Sequence, residues 1–415
     1  MSDAALPQES SPGLTTLQVT LAAGGIYTAQ SLVGGLGFMG IPAILRDRGV
    51  PLEQIGLVSL LMVPWALKFL WSPWIERLRR PGNAAGRRSR GIILTGELLA
   101  ALALGAVGLL AGAPFWMIFC ALLVLAIISA TVDIACDAFL IEQIQKKDLG
   151  LGNTAQVGGG YLGLVFGSGL FVYLVAVIGW AYAAGVMAVL LLVLSLPMAL
   201  TPEPDVAGTG EAESRPSILA ALKRREIVVG ILMTCVFEAS GRLVQVLSGP
   251  FLIDAGVPLG MLGLLNGSGG VAAGLAGTVL GGLLVKRVGA AKAIRSVLFA
   301  QAIILITLTA AVFSGWVGSA TLVALIICKS AVMAATFVTL YSRLMMLVSP
   351  SQPGVDFTIF QCASALIAAA CGLGGGFLSG AAGYGASFLL ASGLAVLALL
   401  FRPAIERSLS RETLS

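Results

Sequence analysis

The chain has 415 residues, of which 58% are hydrophobic and 11% are charged, with a formal net charge of +5. Soluble domains contain about 45–50% apolar and about 25% charged residues. The composition therefore excludes an ordinary soluble enzyme, a disordered protein and a nucleic-acid-binding module. The chain has no histidine, which excludes HExxH zinc sites, Ser-His-Asp triads and histidine-ligated haem.

Long continuous apolar runs indicate membrane-spanning helices rather than the alternating segments of a barrel. A polar segment at 201–226, rich in Pro, Glu, Gly and Ser, divides these runs into halves at 17–200 and 227–401, with tails at 1–16 and 402–415. The sequence thus predicts an all-α membrane protein with twelve transmembrane helices in two six-helix halves. The spans are predicted at 17–42, 54–75, 91–112, 115–141, 153–177, 180–200, 227–250, 258–285, 294–314, 319–342, 356–379 and 383–401.

The basic residues predict the orientation of these spans. With the N-terminus in the cytoplasm, 20 of the 25 Lys and Arg residues fall on the cytoplasmic side, and only Arg46 and Arg48 fall outside. This asymmetry follows the positive-inside rule and places both termini in the cytoplasm. The segment before Arg46 has no basic residue, so we expect a retained first helix rather than a signal peptide.

Small residues are abundant in the spans. The six cysteines lie in apolar runs without CxxC spacing, which indicates small apolar side chains and predicts neither a metal nor a cofactor. Glycines recur every four residues, as in Gly159-xxx-Gly163-xxx-Gly167 and Gly277-xxx-Gly281. This spacing allows close helix packing. It also fits a seam along which two halves move, and the two interpretations are compatible.

Charged residues inside the first half mark a candidate site, because such residues are costly in a membrane. Asp133 and Asp137 lie four residues apart and share one helical face. Two adjacent carboxylates cannot both ionise cheaply unless a cation lies between them. The pair is therefore either a latch or gate, to Lys68 or to the basic loop 77–90, or a proton carrier.

The second half contains Glu238 and Arg242, also four apart, and an isolated Lys329. Glu238 and Arg242 form either a self-neutralising pair or a site where Arg242 contacts an anionic substrate. Lys329 needs a partner from another helix or from a ligand, and we expect it to line a cavity. Glu97 is expected to pair locally. Neutral polar residues in the spans are weaker candidates for ligand contacts or interhelical hydrogen bonds: Tyr27, Gln30, Gln245, Asn266 and Gln361.

Three segments of the first half carry a resemblance. WALKFLWSPWIER (65–77), GRRSRG (86–91) and SATVDIACDAFLIE (129–142) resemble the major facilitator superfamily, and within it the AmpG-type muropeptide permeases and the RhtX/FptX-type siderophore permeases. The basic loop departs from the superfamily pattern because it is longer and its acidic residue would be Glu76. AmpG-type proteins often have two further spans, which favours the siderophore branch.

The resemblance implies an inner-membrane importer of a Gram-negative bacterium, and we expect the protein to be a monomer. It implies that helices 1, 4, 7 and 10 line a cavity and that helix pairs 5/8 and 2/11 form seams between the halves. The substrate-binding candidates are Tyr27, Gln30, Arg242, Lys329 and Asn266. The candidates for proton coupling or gating are Asp133, Asp137, Glu238 and Lys68.

The function expected from these features is secondary transport of a ferric, pyochelin-like siderophore by alternating access, with proton symport as one option. The iron would enter inside its chelator. The alternative is an anhydromuropeptide permease, whose substrate is also anionic. A GxGD protease motif and a Walker A motif are missing from the sequence, so we expect no enzymatic activity. The expected partners are a small-molecule substrate and the lipid bilayer, without nucleic acid.

Overall fold

The structure is a computed structural model that describes residues 14–48, 57–80, 88–204, 216–257, 269–315 and 318–410. All regular secondary structure in these ranges is helical. Nine stretches of the described chain are long and apolar enough to cross a membrane, and the last of them consists of two helices joined at a bend. The helical stretches 16–47 and 57–79 complete the set of twelve, which confirms the predicted fold class.

Within the described ranges the first half has nine α-helices in six spans, because some spans are interrupted. Pro64 and Pro73 begin two short helices of the second span, where a residue without an N–H is tolerated. π-helical turns at Leu36–Gly40 and Val165–Leu170 interrupt the first and fifth spans. The helices are α1 (Thr16–Gly35), α2 (Ile41–Asp47), α3 (Val63–Leu67), α4 (Ser72–Arg79), α5 (Ser89–Leu109), α6 (Phe115–Gln143), α7 (Leu149–Leu164), α8 (Phe171–Ile178) and α9 (Trp180–Leu200).

The second half follows a connecting segment that itself contains a short helix. Its longest helix bends at Gly383, whose φ of 78° is a conformation that favours glycine, so it provides both of the last two spans. The helices are α10 (Ile218–Lys223), α11 (Arg225–Asp254), α12 (Gly270–Val288), α13 (Ala290–Ser314), α14 (Ser319–Met345) and α15 (Pro353–Ser410).

The glycine stripes pack mainly within each half. A Cβ atom added at Gly163 of α7 would lie 2.6 Å from the backbone nitrogen of Leu32 in α1. A Cβ atom at Gly281 of α12 would lie 2.9 Å from Cα of Ala335 in α14. These stripes therefore allow close backbone approach inside a bundle. Their spacing predicts such an approach but does not identify the partner helix.

The two halves meet along different faces of α7 and α12. A Cβ atom at Gly150 would lie 2.7 Å from Cβ of Val285 and 2.8 Å from the carbonyl oxygen of Gly282. The Thr154 hydroxyl lies 3.4 Å from the carbonyl oxygen of Thr278. Asn153 of α7 is fully buried and donates to Ser342 of α14 at 3.3 Å. The contact between helices 5 and 8 thus starts at the end of the molecule where α7 begins, and it continues along α7 to Tyr161, which packs on Gly274.

We predict that Gly150→Ala forces the halves apart at this end, because the added methyl group would overlap the backbone of α12. The matched control is Gly158→Ala on the same helix, where a Cβ atom would lie 3.6 Å from the nearest atom, a methyl carbon of Thr278. Double electron–electron resonance between spin labels on the two halves measures their separation. We expect a longer distance at this end for Gly150→Ala only. Equal distance distributions in both variants would contradict the prediction.

Candidate functional site

The first half buries an ionic cluster where the second and fourth spans meet. Lys68, which is 1% exposed, forms an ion pair with Asp133. Its Nζ atom also lies 3.8 Å from Oδ2 of Asp137, which is fully buried. Both carboxylates lie on one face of α6, as their spacing predicted. Lys68 is brought to them by the 3-10 turn that follows α3.

Three polar side chains complete the first-half cluster. Tyr27 of α1 donates to Oδ1 of Asp137 at 2.8 Å, and Gln156 of α7 donates to the same oxygen at 3.0 Å. Gln30 donates to Oδ1 of Asp133 at 2.9 Å in the amide orientation that satisfies both of its polar atoms. The other Asp137 oxygen, Oδ2, is buried without a hydrogen-bond partner. The two carboxylates are therefore not equivalent.

Lys68 also connects the two halves, because its ammonium donates to the side-chain oxygen of Gln361 in α15. One helical position further on, the Cys362 thiol lies 3.7 Å from the carbonyl oxygen of Trp65. One buried cation is thus shared between two aspartates of the first half and an amide of the second. A change of charge at either aspartate alters the forces on a contact between the halves.

The second half has its own ionic cluster between α11 and α15. Arg242 and Glu238 approach to 3.0 Å. Ser364 donates to Oε2 of Glu238 at 2.6 Å and accepts from Arg242 at 2.9 Å. The Arg242 guanidinium also lies 4.6 Å from the ring centre of Phe337 in α14. The predicted intrahelical pair is therefore present, and Arg242 remains partly exposed beside an aromatic face.

Lys329 of α14 is 3% exposed and has no hydrogen bond or ion pair with any residue that the structure describes. The charged group that interacts with it is Arg242, which is also a cation. A buried ammonium without a counter-charge is unfavourable. An anion close to Lys329 would stabilise its charge, so Lys329 stays a candidate binding residue.

Three further sequence candidates lie at other positions. Glu97 is buried in α5 and has no ion pair within the described ranges, so the expected local partner is not found. An acidic residue near a helix end suggested a basic neighbour, but Arg90 of the same helix donates to the carbonyl oxygen of Ala199 instead. Asn266 lies outside the described residues. Gln245 is exposed.

The basic loop after the second span forms a second contact between the halves. Glu76 accepts from Arg79 at 2.5 Å through Oε1 and from the Gly354 backbone N–H at 3.1 Å through Oε2. Arg80 donates to the carbonyl oxygen of Ser351 at 2.6 Å. Glu142 binds both Arg79 and Arg80, a partnership that links sequence positions too far apart for periodicity to reveal.

Charge compensation is tight in this gate cluster, which we define as Glu76, Arg79, Arg80 and Glu142. Arg79 is fully buried, and the Glu76 and Glu142 carboxylates that bind it offset its positive charge. Hydrogen bonds between the halves, in the part of the chain that is described, all lie between this cluster and the level of Trp65.

A small apolar pocket, of about 10 Å³, lies within the first half, on the other side of Trp65 from this cluster. Its walls include Phe38 and Trp65, whose rings meet edge to face at 6.2 Å. Within the described ranges, no group of three or more Cys, Asp or Glu side chains is placed to hold a metal ion.

Two helical bundles with buried charges near the middle, and contacts between the bundles at one end, define a membrane transporter fold. The chain belongs to the Major Facilitator Superfamily, whose family profile matches residues 20–370. This confirms the superfamily resemblance and makes the chain a multi-pass membrane transporter.

Curated relatives place the chain near the AmpG group. It is 29% identical over 262 residues to the Anhydromuropeptide permease of Escherichia coli K12, covering 61% of this chain and 52% of the permease. It is 22% identical over 277 residues to Putative transporter AmpG 4 of Rickettsia conorii, covering 64% and 66% of the two chains. The matched region thus spans about half the length of the E. coli permease.

Solved structures share the fold at low sequence identity. The outward conformation of the transporter FucP matches with a TM-score of 0.71 at 16% identity, covering 93% of this chain and 98% of FucP. A bacterial homologue of the iron transporter ferroportin, in an outward-facing state, matches with a TM-score of 0.70 at 14% identity, covering 94% and 99%. At these identities the matches support the fold alone.

We predict that Glu76→Gln loosens the gate cluster, because the neutral amide no longer balances Arg79 and Arg80. Removing one partner of a buried ion pair costs about 3–5 kcal/mol. A cysteine introduced as Ala138→Cys, next to Gly354, in a background without the native cysteines reports exposure of this seam through its maleimide labelling rate. We expect labelling to be at least about tenfold faster, which corresponds to about 1.4 kcal/mol.

The control for this experiment is Glu226→Gln, because Glu226 is partly exposed and lies 3.8 Å from Arg224 in a pair outside the gate cluster. Labelling of Ala138→Cys at the same rate in both variants would show that Glu76 does not hold the seam.

Proposed function

We propose that this chain is a secondary transporter of the inner membrane that imports an anionic anhydromuropeptide by alternating access. The observation that carries the proposal is the unpaired, buried Lys329 beside Arg242. Two cations and one carboxylate, Glu238, leave the second-half site with an excess of one positive charge. A carboxylate of the substrate would supply the missing counter-charge.

The first half has the opposite imbalance. Lys68 is a single cation between Asp133 and Asp137, so this cluster has an excess of one negative charge when both aspartates are ionised. A bound proton would cancel it. A carrier loaded with one proton and one substrate carboxylate would then have no net charge in either cluster. This balance favours proton symport, because a net charge is costly in the low-dielectric interior of a protein that changes conformation within the membrane.

Asp137 is the aspartate that we propose to bind the proton. Its Oδ2 atom has no hydrogen-bond partner, whereas its Oδ1 atom already accepts from Tyr27 and Gln156. A proton on Oδ2 would leave Lys68 paired with Asp133 alone. Because Lys68 also donates to Gln361, proton binding and release would change a contact that holds the halves together.

The substrate class rests on the relatives as well as on charge. The E. coli relative is named an anhydromuropeptide permease, and a muropeptide is anionic through its carboxylates. The expectation of ferric-siderophore import has no support among these relatives. The ferroportin homologue matches at 14% identity and contributes the fold only. The alternative stated from the sequence is therefore the better hypothesis.

The remaining assignments are part of the same proposal. The gate cluster would face the cytoplasm, because the basic residues concentrate at that end, and both termini would lie there too. The seam would then be closed on the cytoplasmic side. Import would proceed when substrate and proton enter from the opposite side and the contacts around Lys68 and Glu76 open. We propose that the transporter works as a monomer.

The direct test uses the purified full chain in proteoliposomes with an imposed pH gradient. Uptake of radiolabelled anhydromuropeptide is measured alone and in competition with unlabelled ferric pyochelin. The proposal expects gradient-dependent uptake that the siderophore does not inhibit. Uptake of iron-labelled ferric pyochelin, with no entry of muropeptide, would overturn the substrate class and leave the fold unchanged.

We predict that Lys329→Met weakens substrate binding, because it removes the unpaired cation. A hydrogen bond to a charged group contributes about 1.5–3 kcal/mol, so KM should rise roughly 10- to 100-fold. Lys329→Arg should retain much of the affinity. Lys146→Met, at an exposed position, is the control. An unchanged KM for Lys329→Met in the uptake assay would remove the central observation behind the proposal.

We predict that Asp137→Asn abolishes gradient-driven accumulation but retains counterflow exchange, because a neutral side chain mimics the protonated state. Asp133→Asn should impair both activities, since Asp133 is the ion-pair partner of Lys68. Proteoliposomes preloaded with unlabelled substrate measure the exchange. If Asp137→Asn loses both activities while remaining folded, Asp137 acts in the latch and not in proton coupling.

A further inference from the structure

The turn between α12 and α13 presents four basic side chains together. Lys286 and Arg287 end α12, and Lys292 and Arg295 lie near the start of α13. All four are exposed, and a single glycine, Gly289, separates the two helices. Within the described ranges, no carboxylate forms an ion pair with any of the four.

The sequence around this basic turn supplies no counter-charge. No Asp or Glu occurs from 255 to 355, although that stretch contains six Lys and Arg residues. The corresponding turn of the first half differs, because Arg79 and Arg80 there are neutralised by Glu76 and Glu142. Among the residues that the structure describes, the cations of the basic turn are therefore not part of an ionic network.

Helix stability accounts for only two of these cations. Lys286 and Arg287 lie in the last turn of α12, where a basic residue favours the helix dipole. Lys292 lies in the first turn of α13, where a basic residue opposes the dipole and no acidic residue compensates it. An external anion beside the turn would offset this cost.

The same helices show where the acyl chains of a lipid would lie. Arg287 continues a stripe of exposed apolar residues on α12 that includes Leu283 and Val279, each four positions apart. Arg295 continues a similar stripe on α13 that includes Phe299 and Ile303. Residues at this spacing share one helical face. Both guanidinium groups thus lie where a lipid-facing surface reaches the headgroup region.

We propose that the basic turn is a binding site for a diphosphate phospholipid headgroup of the cardiolipin type. Four cations across one tight turn match two phosphates better than one, and the adjacent apolar stripes accept acyl chains. Basic pockets at the ends of transmembrane helices bind such headgroups. The site is independent of the substrate and of proton coupling, because it lies on the outside of the second bundle.

The test compares the full chain with the variant Lys286→Gln/Arg287→Gln/Lys292→Gln/Arg295→Gln in nanodiscs. Binding of a fluorescent cardiolipin is measured in phosphatidylcholine, with phosphatidylglycerol and inorganic pyrophosphate as competitors. Each basic residue near an anionic surface contributes about 1 kcal/mol, or about fivefold in affinity. We expect at least tenfold weaker cardiolipin binding for the variant. Cardiolipin should compete better than phosphatidylglycerol, and pyrophosphate should compete poorly.

A matched control removes four exposed cations elsewhere at the same end of the molecule, with acidic residues near them in sequence: Lys146, Lys147, Lys223 and Arg225. This control should bind cardiolipin like the unmodified chain. Equal losses of cardiolipin affinity in both variants would show that binding depends only on the overall positive charge. Strong competition by pyrophosphate would indicate a site for free phosphate. Either result would overturn the proposal.

A second measurement uses the unmodified protein, so it does not depend on whether a variant folds. A photoactivatable cardiolipin added to the unmodified protein should crosslink peptides that span 279–303, and peptide mass spectrometry locates the adduct. Crosslinks distributed evenly over all lipid-facing helices would contradict a specific site even if the four-residue variant fails to fold.

Discussion

The cost of an uncompensated charge in hydrocarbon governs the arrangement of this protein. A buried ion without a partner costs several kcal/mol, even after the protein relaxes around it. Three clusters meet this cost differently. In the gate cluster, arginines and glutamates cancel completely. Around Lys68, two aspartates lie near one lysine, and in the second half two basic residues, Arg242 and Lys329, lie near one glutamate. In the proposed mechanism a proton would balance the first of these two clusters and a substrate carboxylate the second.

The sequence was sufficient for features that depend on local periodicity or composition. Apolar runs indicated the spans, and the spacing of Asp133 with Asp137 and of Glu238 with Arg242 placed each pair on one helical face. Lys68 was also identified as a partner for the aspartates. Each of these inferences needs only the geometry of a single helix or the small number of basic residues inside the spans. Both can be derived from a sequence.

Contacts between distant helices could not be derived in this way. Ser364 bridges Glu238 and Arg242, and Gln361 receives Lys68, but nothing in the local pattern around either residue distinguishes it from other polar residues in the spans. Glu97 was expected to find a neighbour and has none among the described residues. The motifs were also insufficient for the substrate, because the same motifs resemble both AmpG-type and siderophore permeases.

Gly383, Gly179 and Gly289 each join two successive spans through a single residue with φ between 78° and 85°. A connection of one residue is too short to let the helices on either side tilt independently. Three hairpins of this kind link the fifth span to the sixth, the eighth to the ninth and the eleventh to the twelfth. Rearrangement of the helices therefore depends on the longer connections. Each hairpin moves as a rigid pair of helices, so a displacement at one membrane surface also shifts its helix ends at the other surface.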